Sequence, residues 1–180
     1  MPTSRPTALG FVCDQFIARQ PKSVLDIGIG FGKFGFLARE YTDVWSGRYF
    51  NPETKVDGIE VFEPYITELQ KLIYNHIYIG EALDVLEGLG RQIYDMAVCS
   101  DMLEHVTKVH GLRIIGEAKR VSRYSVIVIP AYPGPQGSVY GNEHERHVSR
   151  WVAADLIKLG RLTLLDEKVF ALELEEKGGP

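Results

Sequence analysis

The sequence predicts an α/β domain with a doubly wound, seven-stranded, mostly parallel sheet and an antiparallel strand at its C-terminal end. Three observations carry this. Short apolar runs alternate along the chain with segments of helical period. A glycine-rich turn, Gly28-Ile29-Gly30-Phe31-Gly32, follows the first strand-like run. The last two runs, 162–165 and 169–174, are too close for a crossover helix and should pair antiparallel.

The elements follow in order. Leu9, Val12, Cys13, Phe16 and Ile17 mark one face of a first helix, which Pro21 closes. Residues 24–27 form an apolar run suited to a strand buried on both faces. Phe34, Leu37, Ala38 and Tyr41 carry the next helical face, 56–61 the second strand, and Ile66, Leu69 and Ile73 a further helix. Between them, 41–55 is a long interval holding Trp45, Arg48, Tyr49 and Phe50, read as a packed surface insertion. Strands at 77–79 and 96–99 come next, then a helix marked by Val109, Leu112 and Ile115, and a β-branched strand at 125–129. Residues 130–147 are rich in Gly and Pro without a period, as in a functional lid or a disordered loop. Ser149 is placed to cap a helix bearing Val152, Leu156 and Leu159 that ends at Gly160, and 175–180 reads as a frayed tail.

The totals bound the function. A chain of 180 residues fits one domain, 1–180. A domain of this size buries roughly 70% of its unfolded surface, so no disulfide or structural metal is needed. A net charge of −4 gives no global attraction to nucleic acid or anionic membrane. Cys13 and Cys99 lie in apolar segments and read as buried, reduced thiols. The first six residues lack the apolar core of a signal peptide, and no run reaches the length of a membrane span. The expectation is a cytoplasmic protein with neither membrane nor nucleic acid as partner.

The glycine turn points to a ligand. Glycines there permit a tight turn and close backbone approach, and the following helix N-terminus adds unpaired amides. Gly30-Phe31-Gly32-Lys33-Phe34-Gly35 also matches the dinucleotide pattern G-x-G-x-x-G, with Glu60 further on. Asp26 weighs against a dinucleotide, because a carboxylate there would face pyrophosphate, whereas it suits a ligand end carrying an ammonium group.

Residues 24–32, Val24-Leu25-Asp26-Ile27-Gly28-Ile29-Gly30-Phe31-Gly32, closely resemble the first signature of class I S-adenosylmethionine-dependent methyltransferases. Gly58-Ile59-Glu60-Val61, Gly80-Glu81-Ala82 and the segment from Tyr94-Asp95 to His105 resemble the later signatures in order, over about residues 20 to 174. The resemblance implies a Rossmann-like methyltransferase fold and S-adenosylmethionine as cofactor. By position, it assigns the cofactor to Asp26, Gly28, Gly30 and Gly32 at the turn. Glu60, followed by Val61, takes the ribose hydroxyls. Glu81 and Ala82 meet the adenine, with Asp84 as the rival of Glu81, and Ser100, Asp101 and Met102 flank the methionine part.

The implied activity is methyl transfer to an unidentified acceptor, with a small molecule as one suitable class. A dinucleotide-binding oxidoreductase and a non-catalytic cofactor-binding regulator remain as alternatives. Asp101, Glu104 and His105 have i, i+3, i+4 spacing and, if helical, share a face at the end of the fourth strand. His105 is the candidate base because its intrinsic pKa lies near neutrality, set evenly against a backbone-bonded structural histidine. Glu104 is as well suited to a structural hydrogen bond. The triplet is similar to the acidic-x-x-Glu-His pattern of some metal-assisted methyltransferases, but it opens on the shorter Asp101. No metal is assigned, and His144 or His147 would be the further ligand of such a site. Tyr132, Tyr140, His144, Arg146, His147 and Trp151 suit a lid over an organic acceptor. The plainer expectation is that Trp151 and Tyr140 pack beneath the loop. Lys119, Arg120 and Arg123 read as solvated charges near a helix end.

Overall fold

The computed structural model describes residues 4–175. Readings that fall on residues 1–3 and 176–180 lie outside the described residues. In chain order the elements are α1 (Pro6–Arg19), β1 (Ser23–Ile27), α2 (Lys33–Arg39), β2 (Lys55–Glu60), α3 (Glu68–Ile73), β3 (His76–Ile79) and α4 (Ala82–Gly88). They continue with β4 (Tyr94–Ser100), α5 (Lys108–Val121), β5 (Ser122–Pro130), α6 (Ala153–Leu156), β6 (Arg161–Leu165) and β7 (Val169–Glu175).

The seven strands form one sheet in the order β3-β2-β1-β4-β5-β7-β6. Strands β1 to β5 pair in parallel, and β7 lies antiparallel between β5 and β6. This is the predicted sheet, with β7 as its reversed strand. Strand β1 has β2 on one side and β4 on the other, so the winding direction changes there. Open α/β sheets bind ligands at such a switch point, beyond the carboxyl ends of the strands. In register, Ile27 lies beside Ile59 and Cys99, and Glu60 beside Ile79. The glycine turn, Glu60 and Ser100 therefore emerge at the same edge.

Alternate strand residues feed two apolar layers. Val24, Val56, Met96, Val98 and Val126 pack against Val12, Phe16, Phe34 and Ala38 of α1 and α2. Leu25, Ile27, Ile59, Cys99 and Ile127 pack against Leu86, Ile114, Ile115 and Ala118 of α4 and α5. With both faces covered, the central strands need continuous apolar runs, as at 126–129. Each large aliphatic side chain so buried contributes about 1.5–3 kcal/mol.

The structure departs from the sequence-based expectations at several elements. Helix α5 is turned from its expected phase: Val109 and Leu112 are exposed, and Gly111, Ile114, Ile115 and Ala118 face inward. Gly111 is small because the fully buried Trp151 ring lies where a side chain would be. Leu69 of α3 is likewise exposed, and α4 was not anticipated. Ser149 caps no helix; its hydroxyl donates to the Leu103 carbonyl, and the single-turn α6 is opened by Asp155 accepting from the Val152 N–H. Arg120 is not simply solvated, since it donates to the Leu86 and Leu89 carbonyls at the end of α4.

The 41–55 insertion is tied down by polar contacts. The buried Asp43 carboxylate accepts from the N–H groups of Glu53 and Thr54, the Thr54 hydroxyl and Arg48. Its aromatic side chains Trp45, Tyr49 and Phe50 are exposed, so they do not supply the packing expected of them.

Candidate functional site

A cavity of about 590 Å³ opens at the carboxyl edge of β1, β2 and β4, bounded on one side by Tyr140, Asn142, His144 and Glu145 of the long loop. Its volume falls within the roughly 300–1,000 Å³ usual for small-molecule sites.

Its floor is built from the glycine turn and the end of β2. Gly28 has φ +80°, and a Cβ there would lie 3.0 Å from Cγ of Met102 across the cavity edge. Gly30, at φ +49°, has no atom within 4 Å of a built Cβ, so it borders open space. Its N–H donates to Oε2 of Glu60 at 2.9 Å, and the Phe62 N–H donates to Oε1 at 2.9 Å. Both carboxylate oxygens are thus fixed by backbone, and each keeps acceptor capacity for a further donor. Burial raises the Glu60 pKa, and the two backbone N–H groups oppose that rise. From the far side, Gln70 donates to the Gly30 carbonyl at 3.1 Å while its own carbonyl oxygen accepts from Thr67 at the start of α3. The turn is held at both its N–H and its C=O.

Asp26 and Gly32 are placed differently from the expectation. Neither lines the cavity. Asp26 is buried, accepts from the Tyr74 hydroxyl at 2.6 Å, and has its pKa pushed up to about 6 by burial. The carboxylate therefore does not face the crevice and is no bar to a pyrophosphate. Gly32, at φ +88°, is the left-handed residue that opens α2 against Tyr74. Both residues support the turn from behind.

Val61, Glu81 and Ala82 lie on the cavity wall, whereas Asp84, the rival of Glu81, does not. Glu81 and His144 face each other at 3.7 Å. Ser100, Asp101 and Met102 also line the cavity. Asp101 takes a left-handed conformation, φ +51°, with its carboxylate accepting from the hydroxyls of Ser100 and Ser4.

The 101–105 segment is a bend followed by the single 3-10 turn Leu103–His105, so the three acidic and histidine side chains do not share one α-helical face. Glu104 points into the protein, where burial and the nearby Asp101 carboxylate push its pKa up to about 8. His105 lines the cavity, with Nδ1 at 3.3 Å from the Arg146 carbonyl oxygen. Burial lowers the pKa of His105. In the loop, Trp151 is fully buried as anticipated, while Tyr140 is exposed at the cavity mouth and does not pack beneath it.

Several lining residues were missed in the sequence. Lys33, in the first turn of α2, lines the cavity, and burial lowers its pKa. Tyr65 donates to Glu145 at 3.0 Å, linking the segment after β2 to the long loop. Asn142 is buried and accepts from the His144 N–H. Only Lys33 carried a local signal, a lone cation inside the glycine run.

No protein-family model and no curated protein matches the chain in sequence. Solved structures do match. A Burkholderia thailandensis 1,6-didemethyltoxoflavin-N1-methyltransferase, solved with bound 1,6-didemethyltoxoflavin and S-adenosylhomocysteine, is 16% identical at TM-score 0.66, covering 97% of this chain and 78% of that one. A protein from Pyrococcus horikoshii OT3 is 15% identical at TM-score 0.67, covering 94% and 88%. A SAM-dependent methyltransferase from Aquifex aeolicus is 18% identical at TM-score 0.59, covering 94% and 92%. The reversed β7 between β5 and β6 also departs from the 3-2-1-4-5-6 order of dinucleotide-binding sheets. The chain has the fold of the class I S-adenosylmethionine-dependent methyltransferases.

Proposed function

We propose that residues 1–180 act as a single methyltransferase domain that transfers the methyl group of S-adenosylmethionine to an acceptor, with a small molecule as the favoured class. The observation that carries this reading is Glu60, whose two oxygens are each fixed by one backbone N–H at the cavity floor and retain acceptor capacity for adjacent hydroxyls. That is the arrangement a ribose diol requires, and the open side of Gly30 gives the nucleoside room. The small-molecule preference draws on the size of the cavity and on the 1,6-didemethyltoxoflavin-N1-methyltransferase among the structural neighbours. Free thiols at Cys13 and Cys99 suit a reducing, cytoplasmic setting.

The cofactor, when bound, supplies a methyl carbon activated by its sulfonium. The chain's own residues then have positioning to do, and orientation of this kind contributes several kcal/mol. Glu60 holds the ribose end, Gly28 and Gly30 admit the cofactor's approach, and Glu81 with the Ala82 amide takes the adenine end. Ser100, Asp101 and Met102 flank the methionine end. Tyr65 and Glu145 close the loop over the cavity and limit water. His105, on the wall beyond Met102, is assigned to the acceptor's proton.

The test is calorimetric titration of the purified chain with S-adenosylmethionine, S-adenosylhomocysteine and NADH. Saturable binding of the adenosyl ligands alone is expected, and NADH binding with neither adenosyl ligand bound would overturn the reading. A screen of acceptor classes that detects S-adenosylhomocysteine release then separates an enzyme from a cofactor-binding regulator.

A further inference from the structure

The 41–55 insertion has a face that the cavity does not account for. It lies where α2 has run down to the amino ends of the strands and β2 begins at Lys55, beside Ser23 of β1. None of its residues lines the cavity, which opens at the carboxyl ends. Three of its aromatic side chains face solvent: Trp45 is 66% exposed, Tyr49 69% and Phe50 88%. The Tyr49 and Phe50 rings meet edge to face, 5.0 Å apart at 79°, and Tyr41 lies 6.0 Å from Trp45. So much apolar area concentrated on one short segment marks an interaction site on a soluble protein.

The rings stand on a frame that is fixed before anything binds. The Gln20 side chain, at the end of α1, donates to the Tyr41 carbonyl at 2.9 Å and accepts from the Ser46 hydroxyl at 3.0 Å. Arg39 of α2 donates to the Thr54 and Ile73 carbonyls and to Asn75. With the Asp43 carboxylate gathering Arg48, Glu53 and Thr54, the insertion is bonded on several sides. A face ordered in advance loses little conformational freedom on association.

Charge and area indicate what covers it. The whole chain carries −4, so two copies repel over most of their surface. Within 41–55, Asp43 and Glu53 are balanced by Arg48 and Lys55, so here the repulsion is absent. The same balance gives no attraction to nucleic acid, anionic lipid or a strongly charged protein. Arg48 and Glu53 lie 3.8 Å apart, and a copy related by a two-fold axis offers each of them its opposite charge. Aromatic side chains bury about 150–250 Å² each. At the exposures seen, three rings from each of two copies remove roughly 700–1,100 Å², close to the ~1,000 Å² at which specific interfaces begin.

We propose that two copies of this chain associate through Trp45, Tyr49 and Phe50 as a two-fold dimer. The contact is isologous, each copy's aromatic face packing on the same face of the other, where ring edges can meet ring faces. Aromatic anchors at the centre with an arginine beside them have the composition of an interface hot spot. An area at the lower limit makes the dimer weak and reversible, populated at micromolar concentrations. The contact leaves both cavities open, because they lie at the other end of the strands. It stands without the methyl-transfer reading.

The contact carries its own reporter, since of the chain's two tryptophans Trp151 is fully buried and Trp45 is exposed. Sedimentation equilibrium of the full chain from about 1 to 300 µM should show a monomer–dimer equilibrium. Trp45 emission should move to shorter wavelength over the same range, and Phe50→Ser should remove that shift. The double variant Trp45→Ser/Phe50→Ser should weaken association at least about tenfold. Ile157→Ser, which alters a similarly exposed apolar side chain beyond α6, should leave it unchanged. All three positions are on the surface, so each variant keeps the fold. A chain that stays monomeric to about 300 µM, or a double variant that dimerises like the wild type, would overturn the proposal. So would a monomer that binds phosphatidylcholine vesicles through these rings without self-associating, which would make the face a membrane contact.

Discussion

Replacing Glu60 by Gln tests the cofactor assignment through a calculable change. The carboxylate accepts one N–H from Gly30 and one from Phe62, both at 2.9 Å. Hydrogen bonds to a charged acceptor contribute about 1.5–3 kcal/mol each. An amide can keep one of these bonds through its oxygen, but its NH2 must then oppose the other N–H, donor against donor. Part of that loss is offset because Gln buries no charge at a site where burial raises the carboxyl pKa. The net cost should be about 1–2 kcal/mol of fold stability. S-adenosylhomocysteine, which would lose a charged acceptor for its ribose, should bind about 1–3 kcal/mol more weakly, roughly 5- to 150-fold in Kd. Urea denaturation and calorimetry on the same protein separate the two effects. Glu60→Asp, charged but shorter, should also weaken binding. If Glu60→Gln is less stable yet binds with unchanged Kd, the carboxylate only anchors the glycine turn and the ribose assignment fails.

Two further predictions concern the framework around the site. Burial raises the folded-state Asp26 pKa from 3.8 to about 6, so its contribution is fully present below 3.8 and lost as pH rises through about 6. Over that window the wild type should lose about 3 kcal/mol relative to Asp26→Asn, and parallel stability profiles in urea at stepped pH would refute the assignment. In Gly111→Ala the new methyl would overlap the buried Trp151 ring, which should cost about 1–3 kcal/mol despite alanine's better helix propensity. Gly116→Ala, with nothing within 4 Å, should instead stabilise by roughly 0.5–1 kcal/mol. Thermal unfolding that ranks the two in the reverse order would show that Trp151 yields to the added methyl.

What could be read in the sequence was local chemistry. Gly28, Gly30 and Glu60 sit at strand ends, where residue type and backbone geometry are coupled over a few positions, and all three line the cavity. Asp26 belongs to the same motif, yet its direction depends on Tyr74, a partner 48 positions away that no period reveals. Helix α5 was misphased because Gly111 and Ala118 face the core while Val109 and Leu112 face solvent. Hydrophobicity ranks those positions the wrong way round, and the bulk they accommodate comes from Trp151. Ser149 had the chemistry of a helix cap but meets the Leu103 carbonyl through tertiary contact. Asn142 and Glu145 had no signature because they reach the cavity only once the long loop folds beside it, and Tyr65, in the segment after β2, meets that loop through Glu145, a partner 80 positions away.

The way that loop is fastened bears on how such a cavity can come to admit new ligands. At one end, the Ala131 N–H donates to Lys168 at 2.8 Å, beside the turn into β7; at the other, Val148 is bonded to Glu104. The chain between these two clasps supplies Tyr140, Asn142, His144 and Glu145 to the cavity, while the glycine turn and Glu60 come from strand ends outside it. Inheritance can therefore treat the interval as a replaceable cassette. Lengthening a loop between fixed ends costs little, about 0.6 kcal/mol for each doubling. A lineage could exchange this segment wholesale and alter what the cavity admits, while the half of the cavity built from strand ends stays under separate selection.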